Sequence, residues 1–279
     1  IAVTPTLDQA ALVSGLTGAG GAGLIVTGSS IQGHQNGTAM STGTFTVGPA
    51  ATYGLTRPGI VISSGDAGDY SDGPDTSGAN STSFGVAATV AQEALLDPIT
   101  GGGFDHNDVT QIDINFDMLP GFDTLYFDVV FGSEEWPVFV GSFTDGFGLY
   151  VNGSNIAMVA GLPVNIDHPD MTPIPGTELN AVLAPNGNPR LQFSAFVGDG
   201  STGNTVTFIV ADLIDTALDT TVYLSSLGGS LPLDTPPPPS SVSAQTLDDT
   251  LLGRSGNDTL MAGEGFDRLN GGGDADTLH

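Results

Sequence analysis

The chain contains neither cysteine nor lysine, and its only strongly basic residues are four arginines. Without cysteine no disulfide can form, and without lysine no isopeptide crosslink between lysine and asparagine can form. The 31 acidic residues give a formal net charge of -27, which would repel nucleic acid and anionic membranes. These absences exclude disulfide and lysine–asparagine crosslinks, and they exclude most phosphate-binding functions. Bound metal ions are then the remaining way to connect distant parts of the fold.

The sequence also lacks long apolar runs and common catalytic motifs. No apolar stretch approaches the roughly 18 residues of a membrane span, and no signal peptide is present. There is no H-E-x-x-H, no G-x-S-x-G and no cysteine nucleophile, and the four histidines are scattered. His106, beside Asp105 and Asp108, fits a metal ligand or, more simply, a surface loop. We therefore predict neither a membrane span nor an enzyme.

The acidic residues are mostly aspartate, with 26 aspartates among the 31 acids, and glycine occurs 41 times. A solvated helical surface would favour glutamate, whereas aspartate together with glycine is typical of turns and of oxygen ligands for cations. The acidic coat of a protein from a saline habitat is an alternative explanation, and both explanations can hold.

A nine-residue repeat occupies the end of the chain. Four aspartates and four leucines each recur at steps of nine: Asp249, Asp258, Asp267 and Asp276, and Leu251, Leu260, Leu269 and Leu278. With the glycines around them they approach the nonapeptide G-G-x-G-x-D-x-U-x, in which U is a large apolar residue. Glycine allows tight turns and aspartate presents oxygen to a hard cation, so the spacing predicts Ca²⁺ binding. A disordered tail rich in glycine and aspartate is the alternative.

This segment resembles the repeats-in-toxin (RTX) family of secreted bacterial proteins. In that family two nonapeptides form one turn of a parallel β-roll, which implies that Asp249 shares an ion with Asp267 and that Asp258 shares one with Asp276. Without Ca²⁺ the stacked carboxylates would repel one another, so we expect binding and folding to be coupled. Asp274 stands where glycine is expected. The chain ends at His279 without a capping segment, so we expect the array to continue or to be covered by a neighbouring molecule.

The composition predicts a large domain, a linker and the repeats. A chain of 279 residues with 39% hydrophobic content can bury a substantial core. Residues 231–243 contain Pro232 and the run from Pro236 to Pro239, which is typical of a stiff polyproline II spacer. We predict a domain at residues 1–230, a linker at 231–243 and calcium-binding repeats at 244–279. The start at Ile1 indicates removal of a leader or other processing.

Most of the large domain has the pattern of short strands. Helices are predicted at residues 7–16 and 86–96, the second ended by Asp97-Pro98. Strands are predicted for QIDINFD, TLYFDVVF, GLYVNG, LQFSAFV, TVTFIVAD and TTVYLSSL, between residues 111 and 227. The predicted fold class is an all-β sandwich of lectin or jelly-roll type with one or two short helices, followed by a short C-terminal parallel β-roll.

Three stretches, 59–81, 124–153 and 208–227, resemble the choice-of-anchor L domain family, and the resemblance covers nearly all of residues 1–230. Its most specific part is FGSEEW, in which Trp136 stands where tyrosine is usual. Thr144 stands where an asparagine often precedes the aspartate. The family comprises secreted or surface-exposed bacterial proteins whose C-terminal anchoring device varies. The resemblance implies export and surface exposure, with the calcium-binding repeats as the anchor.

Several carboxylates of the large domain are candidate Ca²⁺ ligands. Glu134 and Glu135 are neighbours at the end of a strand and therefore point to opposite faces, so they make a poor acid and base pair. We predict that one of them binds Ca²⁺ together with Asp145, and the alternative is that they accept backbone N–H groups in loops. A second candidate set consists of three aspartates at spacings of three and four, Asp212, Asp215 and Asp219. Turn formation by these aspartates is the alternative.

Other motifs favour simpler interpretations. Asp66, Asp69, Asp72 and Asp75 step by three, but they lack the closing glutamate of an EF-hand, so we predict a flexible acidic loop rather than a metal site. The stretch GAGGAG at 18–23 matches a dinucleotide-binding pattern only formally, because a strand-like segment follows it instead of preceding it. The aromatic residues Trp136, Phe139 and Phe143 fit the core better than an exposed platform.

The sequence predicts a secreted, cell-surface, non-enzymatic structural protein that is stabilised by Ca²⁺. We expect it to self-associate into a layer, matrix or filament through β-strand or β-roll contacts, with the N-terminal IAVTPT adding to a neighbour's sheet edge. The alternative is a calcium-dependent adhesin that binds a glycan or another cell-surface ligand. An enzyme such as a glycosidase has the least support.

Overall fold

The structure is a computed structural model that describes residues 1–18, 21–48, 53–71 and 73–229, and short strands at 250–252, 259–260, 268–270 and 277–278. The chain divides into two compact units, Ile1–Pro232 and Leu233–His279. The boundary between the units lies inside the proline-rich segment of the sequence. Each unit is described by itself.

The first unit consists mainly of two antiparallel sheets. The larger sheet has eight strands: β1 (Ala2–Pro5), β5 (Thr42–Thr46), β6 (Gly59–Ser63), β8 (Thr124–Ser133), β13 (Met171–Thr172), β14 (Ala181–Leu183), β15 (Leu191–Phe196) and β17 (Thr220–Gly228). The smaller sheet has seven: β2 (Leu24–Gln32), β7 (His106–Met118), β9 (Gly146–Val151), β10 (Ser154–Asn155), β11 (Met158–Val159), β12 (Leu162–Asn165) and β16 (Asn204–Leu213). A separate small hairpin is formed by β3 (Gln35–Asn36) and β4 (Ala39–Met40).

The strand order places the last two long strands inside the two sheets. The larger sheet runs β1-β5-β6-β17-β8-β14-β13, and β15 also pairs with β8. The smaller runs β11-β12-β9-β16-β7-β2, and β10 also pairs with β9. Strand β17 therefore lies between β6 and β8, and strand β16 lies between β9 and β7. The six predicted strand segments all coincide with strands of these sheets.

The main hydrophobic core lies between the facing sides of the two sheets. Phe127 of β8 and Phe208 of β16 both belong to it, and their rings pack edge to face with centroids 5.7 Å apart. A second core, which includes Tyr70 and Tyr223, covers the other face of the larger sheet. The prediction of a mainly β fold with two helices is confirmed, and the finer lectin or jelly-roll type remains a prediction.

Helix α1 (Gln9–Thr17) begins after Asp8 because the Asp8 side chain accepts hydrogen bonds from the first backbone N–H groups of the helix. The helix predicted at 7–16 would have Asp8 in its first turn, whereas the structure places Asp8 before the helix as its N-cap. Leu12 and Leu16, one turn apart, are fully buried in the main core. Because residues four apart lie on the same face of a helix, this spacing lets the short segment pack against the sheets as a helix.

Helix α2 (Val90–Thr100) corrects the prediction of a helix at 86–96 that Pro98 ends. Thr89 caps its start through a capping box with Gln92, and the helix continues through Pro98 to Thr100. Proline removes one backbone N–H from the last turn. The Tyr150 hydroxyl donates to the Leu95 carbonyl and the Thr100 hydroxyl donates to the Leu96 carbonyl, so side chains help to hold the last turn.

The second unit contains two pairs of parallel strands. Strand β18 (Thr250–Leu252) pairs with β20 (Arg268–Asn270), and β19 (Thr259–Leu260) pairs with β21 (Thr277–Leu278). In each pair the partners are eighteen residues apart, as in Leu251 with Leu269. This is the step predicted for two nonapeptides per turn. The four repeat aspartates, Asp249, Asp258, Asp267 and Asp276, lie outside the described residues, and the β-roll remains a prediction.

Candidate metal centre

Four strand ends meet at one end of the sandwich. In the larger sheet the last residue of β8, Ser133, pairs with the first residue of β17, Thr220. In the smaller sheet the first residue of β9, Gly146, pairs with Ala211 near the end of β16. The Thr220 hydroxyl donates to the Asp145 carboxylate at 2.8 Å and so joins the two sheets. A bulge between Val210 and Asp212 interrupts the pairing of β16 with β7 beside this point, and bulges of this kind redirect strands and side chains.

Asp145, which immediately precedes β9, is the centre of the arrangement. Its side chain is fully buried. One carboxylate oxygen accepts the Leu213 backbone N–H at 2.8 Å, and the other accepts the Thr220 hydroxyl. Its carboxylate is also within hydrogen-bonding reach of Glu135 on one side and Asp212 on the other. We call Glu135, Asp145 and Asp212 the Asp145 group.

Three oxygens of this group lack hydrogen-bond donors although they are buried. Neither oxygen of Asp212 has a partner, and the same holds for Oε2 of Glu135. The Ser64 hydroxyl is near enough to Asp212 to lower its pKa, but it is hydrogen-bonded to the backbone of Thr220. Ionised carboxylates are acceptors only, so they cannot satisfy one another. Each such oxygen carries a desolvation cost unless a proton or a cation is present.

The pKa values reflect this environment. Burial raises the pKa of Asp212 well above its ordinary value, and the charge of Asp145 raises it further. Burial likewise raises the pKa of Glu135, with Asp145 and Asp215 adding to the effect. Burial also raises the pKa of Asp145, although its hydrogen bonds from Leu213 and Thr220 oppose the shift. The charged neighbours that raise these values are all carboxylates.

A second set of carboxylates lies on the other side of Glu135. Glu134 is buried and neither of its carboxylate oxygens has a hydrogen-bond partner. Burial, together with the charges of Asp75, Asp219 and Glu178, raises its pKa to about 9. Asp219 accepts the Thr82 backbone N–H at 2.9 Å and the Tyr70 hydroxyl at 3.1 Å, and burial raises its pKa to about 6. We call Glu134 and Asp219, with their neighbour Asp69, the Glu134 group.

The profile of the choice-of-anchor L domain family matches residues 3–181, and this range contains FGSEEW and Asp145. The chain belongs to the choice-of-anchor L domain family. A second profile, that of the RTX calcium-binding nonapeptide repeat, matches residues 246–279 with four copies. The repeats are therefore of the calcium-binding kind, and Ca²⁺ is their ion. The first match ends at Ala181, before the long strands β16 and β17 that complete both sheets.

Comparisons with solved structures give only distant similarities. A carbohydrate-binding module specific for non-crystalline cellulose is 10% identical with a TM-score of 0.28, over 58% of this chain and 88% of the module. The catalytic unit of an α-1,3-glucanase from Streptomyces thermodiastaticus is 11% identical with a TM-score of 0.19, over 75% of this chain and 43% of that unit. Such TM-scores support no argument. No curated protein matches the chain.

The two families indicate the setting of the choice-of-anchor L domain. Both are typical of extracellular or cell-surface proteins, and neither is a catalytic family. Neither of the two described α-helices is long and apolar enough to cross a membrane.

The structure divides the predicted ligands of the choice-of-anchor L domain between the two groups. Glu134 and Glu135, which directly follow β8, face different groups. Asp212 joins the Asp145 group, whereas Asp219 joins the Glu134 group. Asp215 is half-buried and accepts the Ala217 backbone N–H at 3.2 Å, which is the predicted turn contact, while its charge still acts on Glu135.

The start of the acidic loop at residues 66–75 is fixed by hydrogen bonds that the Asp66 side chain accepts. Asp66 caps a short 3-10 helix (Ala67–Asp69) and also accepts the Met40 backbone N–H, so this part is not a flexible loop. Asp69 reaches the Glu134 group, and Asp75 contributes charge to it. Asp72 lies outside the described residues. Glu178, whose charge also acts on Glu134, was not predicted as a site residue, because a single glutamate far along the chain carries no local signal.

His106 is buried as the first residue of β7, so the prediction of a surface loop is wrong. Its Nδ1 lies 2.5 Å from Oε2 of Glu93, and its Nε2 lies 2.9 Å from the Thr100 hydroxyl. Potential ligand atoms of Glu93, Asp97 and His106 lie within 4.8 Å of one another. Both ring nitrogens are already engaged, so hydrogen bonding to α2 accounts for this cluster without a metal.

The aromatic residues after Glu135 are half-buried. Trp136 packs against the main core, and Phe139 contacts Phe143 edge to face at 5.6 Å. They form neither a fully buried core cluster nor an open platform. The GAGGAG loop precedes strand β2, and residues 19 and 20 within it lie outside the described residues.

Proposed function

We propose that this protein is a secreted, non-enzymatic structural component of the extracellular surface that Ca²⁺ stabilises and that self-associates through its sheet edges. The observation that carries the proposal is strand β2. It spans Leu24–Gln32, and among the described strands it pairs only with β7. No described strand covers its other edge, although the Gln9 side chain of α1 donates to the Ser29 carbonyl of β2 at 2.8 Å.

The composition of β2 favours pairing between molecules. Natural edge strands usually carry charged residues or proline, which prevent edge-to-edge association. Strand β2 has the sequence LIVTGSSIQ, which contains neither. Ile25 on this strand is 53% exposed. In a chain with a net charge of -27, an uncharged edge is where two copies can approach with the least repulsion.

The N-terminal strand is a less direct route to association. Strand β1 pairs with β5 of its own chain, from Ala2 with Thr46 to Pro5 with Gly43, and Ile1 is buried in the second core. The Val3 backbone N–H donates to Ser71 on the outer side of β1. Donation of IAVTPT to a neighbour therefore requires β1 to leave its own sheet, whereas pairing through β2 requires at most that the Gln9 side chain release the Ser29 carbonyl.

Calcium has two roles in this proposal. The nonapeptide repeats bind Ca²⁺, and bound divalent ions lower the repulsion between copies of a highly acidic chain. We expect assembled particles in Ca²⁺ and single chains in chelator, as measured by native particle imaging and size analysis. Chelator with high salt is the control, because salt alone screens charge without occupying specific sites. A protein that stays monomeric in Ca²⁺ at every concentration would contradict self-association.

The edge of β2 is tested by Ile25→Glu, which places a negative charge on it. We expect this variant to lose assembly in Ca²⁺, because like charges opposite each other destabilise strand pairing. Val90→Glu is the matched control, since Val90 is 89% exposed at the start of α2 and the charge change is the same. Equal assembly of the two variants would exclude the β2 edge. Saturable, calcium-dependent binding on a glycan array by unassembled protein would favour the adhesin alternative.

A further inference from the structure

We propose that the β-sandwich holds a divalent-cation site of its own, separate from the nonapeptide repeats, at the buried carboxylate oxygens of Glu135, Asp145 and Asp212. The first argument is the unsatisfied oxygen atoms. Asp212 and Glu135 are at most 1% exposed, and three of their oxygens have no hydrogen-bond partner. Natural proteins rarely bury such atoms without a donor or an ion.

The second argument is the chemistry of the surroundings. The chain has no lysine, and its arginines are Arg57, Arg190, Arg254 and Arg268, of which the first two belong to the sandwich. Arg190 is bound to Asp128 on β8. The charges that act most strongly on the Asp145 group are other carboxylates, with Asp215 and Asp167 among them. A cation is what balances such a set.

The ligand chemistry identifies the class of ion. All three side chains offer hard carboxylate oxygen, and none offers nitrogen or sulfur, so Ca²⁺ or Mg²⁺ fits better than a transition metal. The two oxygens of Asp145 accept hydrogen bonds from Leu213 and Thr220, and the carboxylate also lies within hydrogen-bonding reach of Glu135 and Asp212. Unlike the Glu93, Asp97 and His106 cluster, these three side chains do not each have an oxygen within 4.8 Å of the others, so a bound ion must draw them closer together. The adaptable coordination of Ca²⁺ suits such a site better than the strict octahedron of Mg²⁺.

The site has a structural consequence. Glu135 and Asp145 stand at the two ends of the loop 136–144, and Asp212, near the end of β16, and Thr220, at the start of β17, lie on either side of the loop 214–219. An ion held by this group would connect both loops and the ends of β8, β9 and β16 in one set of contacts. It would therefore close one end of the sandwich in the way that a disulfide does in other extracellular domains. This inference does not depend on self-association.

The single tryptophan allows the sandwich site to be observed by itself. Trp136 is adjacent to Glu135, and residues 244–279 contain neither tryptophan nor tyrosine. Tb³⁺ replaces Ca²⁺ at oxygen sites and emits when a nearby excited tryptophan transfers energy to it. In the full-length protein we expect Tb³⁺ emission upon tryptophan excitation, and we expect added Ca²⁺ to displace it.

Three variants decide whether the emission comes from the proposed site. Asp212→Asn keeps the shape of the side chain and removes its charge, so we expect binding at least tenfold weaker. Asp123→Asn is the matched control at the opposite end of β8, where the carboxylate is exposed, and we expect no change. Asp258→Asn alters a repeat, and we expect it to leave the tryptophan-sensitised signal unchanged.

The proposal is overturned by the absence of tryptophan-sensitised emission, or by emission that Asp212→Asn leaves intact. Loss of the signal in Asp258→Asn would assign the emission to the repeats and would also overturn it. Near-ultraviolet circular dichroism in chelator checks the fold of each variant. Asp212→Asn is expected to fold, because it removes a buried charge that has no donor. Glu135→Gln provides the second variant and must give the same loss of binding.

Discussion

In chelator, the stability of the sandwich is expected to fall as the pH rises from about 5 to about 9, and Ca²⁺ is expected to abolish the fall. The carboxyl groups of Glu134 and Asp219 have pKa values of about 9 and about 6 in the folded protein, above their ordinary values. The folded state therefore holds protons that the unfolded state releases. Stability from such groups is complete below the ordinary pKa and is lost as the pH rises through the raised pKa.

The size of the effect follows from the number of groups involved. Glu135, Asp145 and Asp212 also have raised pKa values, so the five carboxyls act in the same direction. One unit of raised pKa corresponds to about 1.4 kcal/mol, and a domain has only about 5 to 15 kcal/mol of stability. We therefore expect the melting temperature in chelator to fall by roughly 10 °C or more across this range.

Trp136 fluorescence gives the measurement, because it reports on the sandwich and not on the repeats. Thermal unfolding is followed across the pH range with Ca²⁺ and with chelator. A bound cation favours ionised carboxylates, so the curve in Ca²⁺ should be flat or rise with pH. Asp212→Asn should reduce the slope in chelator, whereas Asp123→Asn should leave it unchanged. Identical slopes in Ca²⁺ and chelator would show that no ion engages these groups.

Replacing Arg190 by methionine is expected to destabilise the sandwich by about 3 to 5 kcal/mol. The Arg190 guanidinium donates to both carboxylate oxygens of Asp128, at 3.1 Å each. Asp128 lies on β8 and is 1% exposed. Without Arg190 its charge stays buried with only the Gln192 amide as a donor, at 3.3 Å. The loss is read as a lower midpoint of denaturant unfolding in the presence of Ca²⁺.

The double variant Asp128→Leu with Arg190→Met is the control for this effect. Replacing both members of a buried ion pair by apolar residues is often neutral, so we expect most of the lost stability to return. A single-variant loss below about 1 kcal/mol would show that the pair behaves as an exposed one. If the double variant loses as much stability as the single variant, then lost packing, and not the unpaired buried charge of Asp128, is responsible.

The strands could be predicted because their signal is local. In β15, buried Leu191 and Phe193 alternate with exposed Gln192 and Ser194, and this alternation is visible in the sequence. The course of α2 through Pro98 could not be predicted in this way. The last turn of α2 is also held by the Tyr150 hydroxyl, which donates to Leu95 across a separation of 55 residues in sequence.

Only part of the candidate site could be predicted from the sequence. The excess of acids over bases predicted two separate sites, one at Glu134 or Glu135 with Asp145 and one at Asp212, Asp215 and Asp219. The structure instead brings Glu135, Asp145 and Asp212 into one group. The division of the remaining ligands was not predictable, because it depends on which strand ends meet. Nothing local to Asp212 indicates that it lies beside Asp145 rather than beside Asp219. Glu178 and the Thr220 hydroxyl enter the two groups through long-range contacts alone.

The interior positions of β16 and β17 affect the order in which the domain can be built. These strands come from residues 204–228, yet they fill the centre of both sheets. A chain that lacks them consists of unjoined partial sheets with unpaired inner edges. Contacts of such long sequence separation form slowly. Assembly of the sandwich must therefore wait for its last segment, and the same segment brings Asp212 and Thr220, so closure of the two sheets and completion of the carboxylate cluster become a single late step.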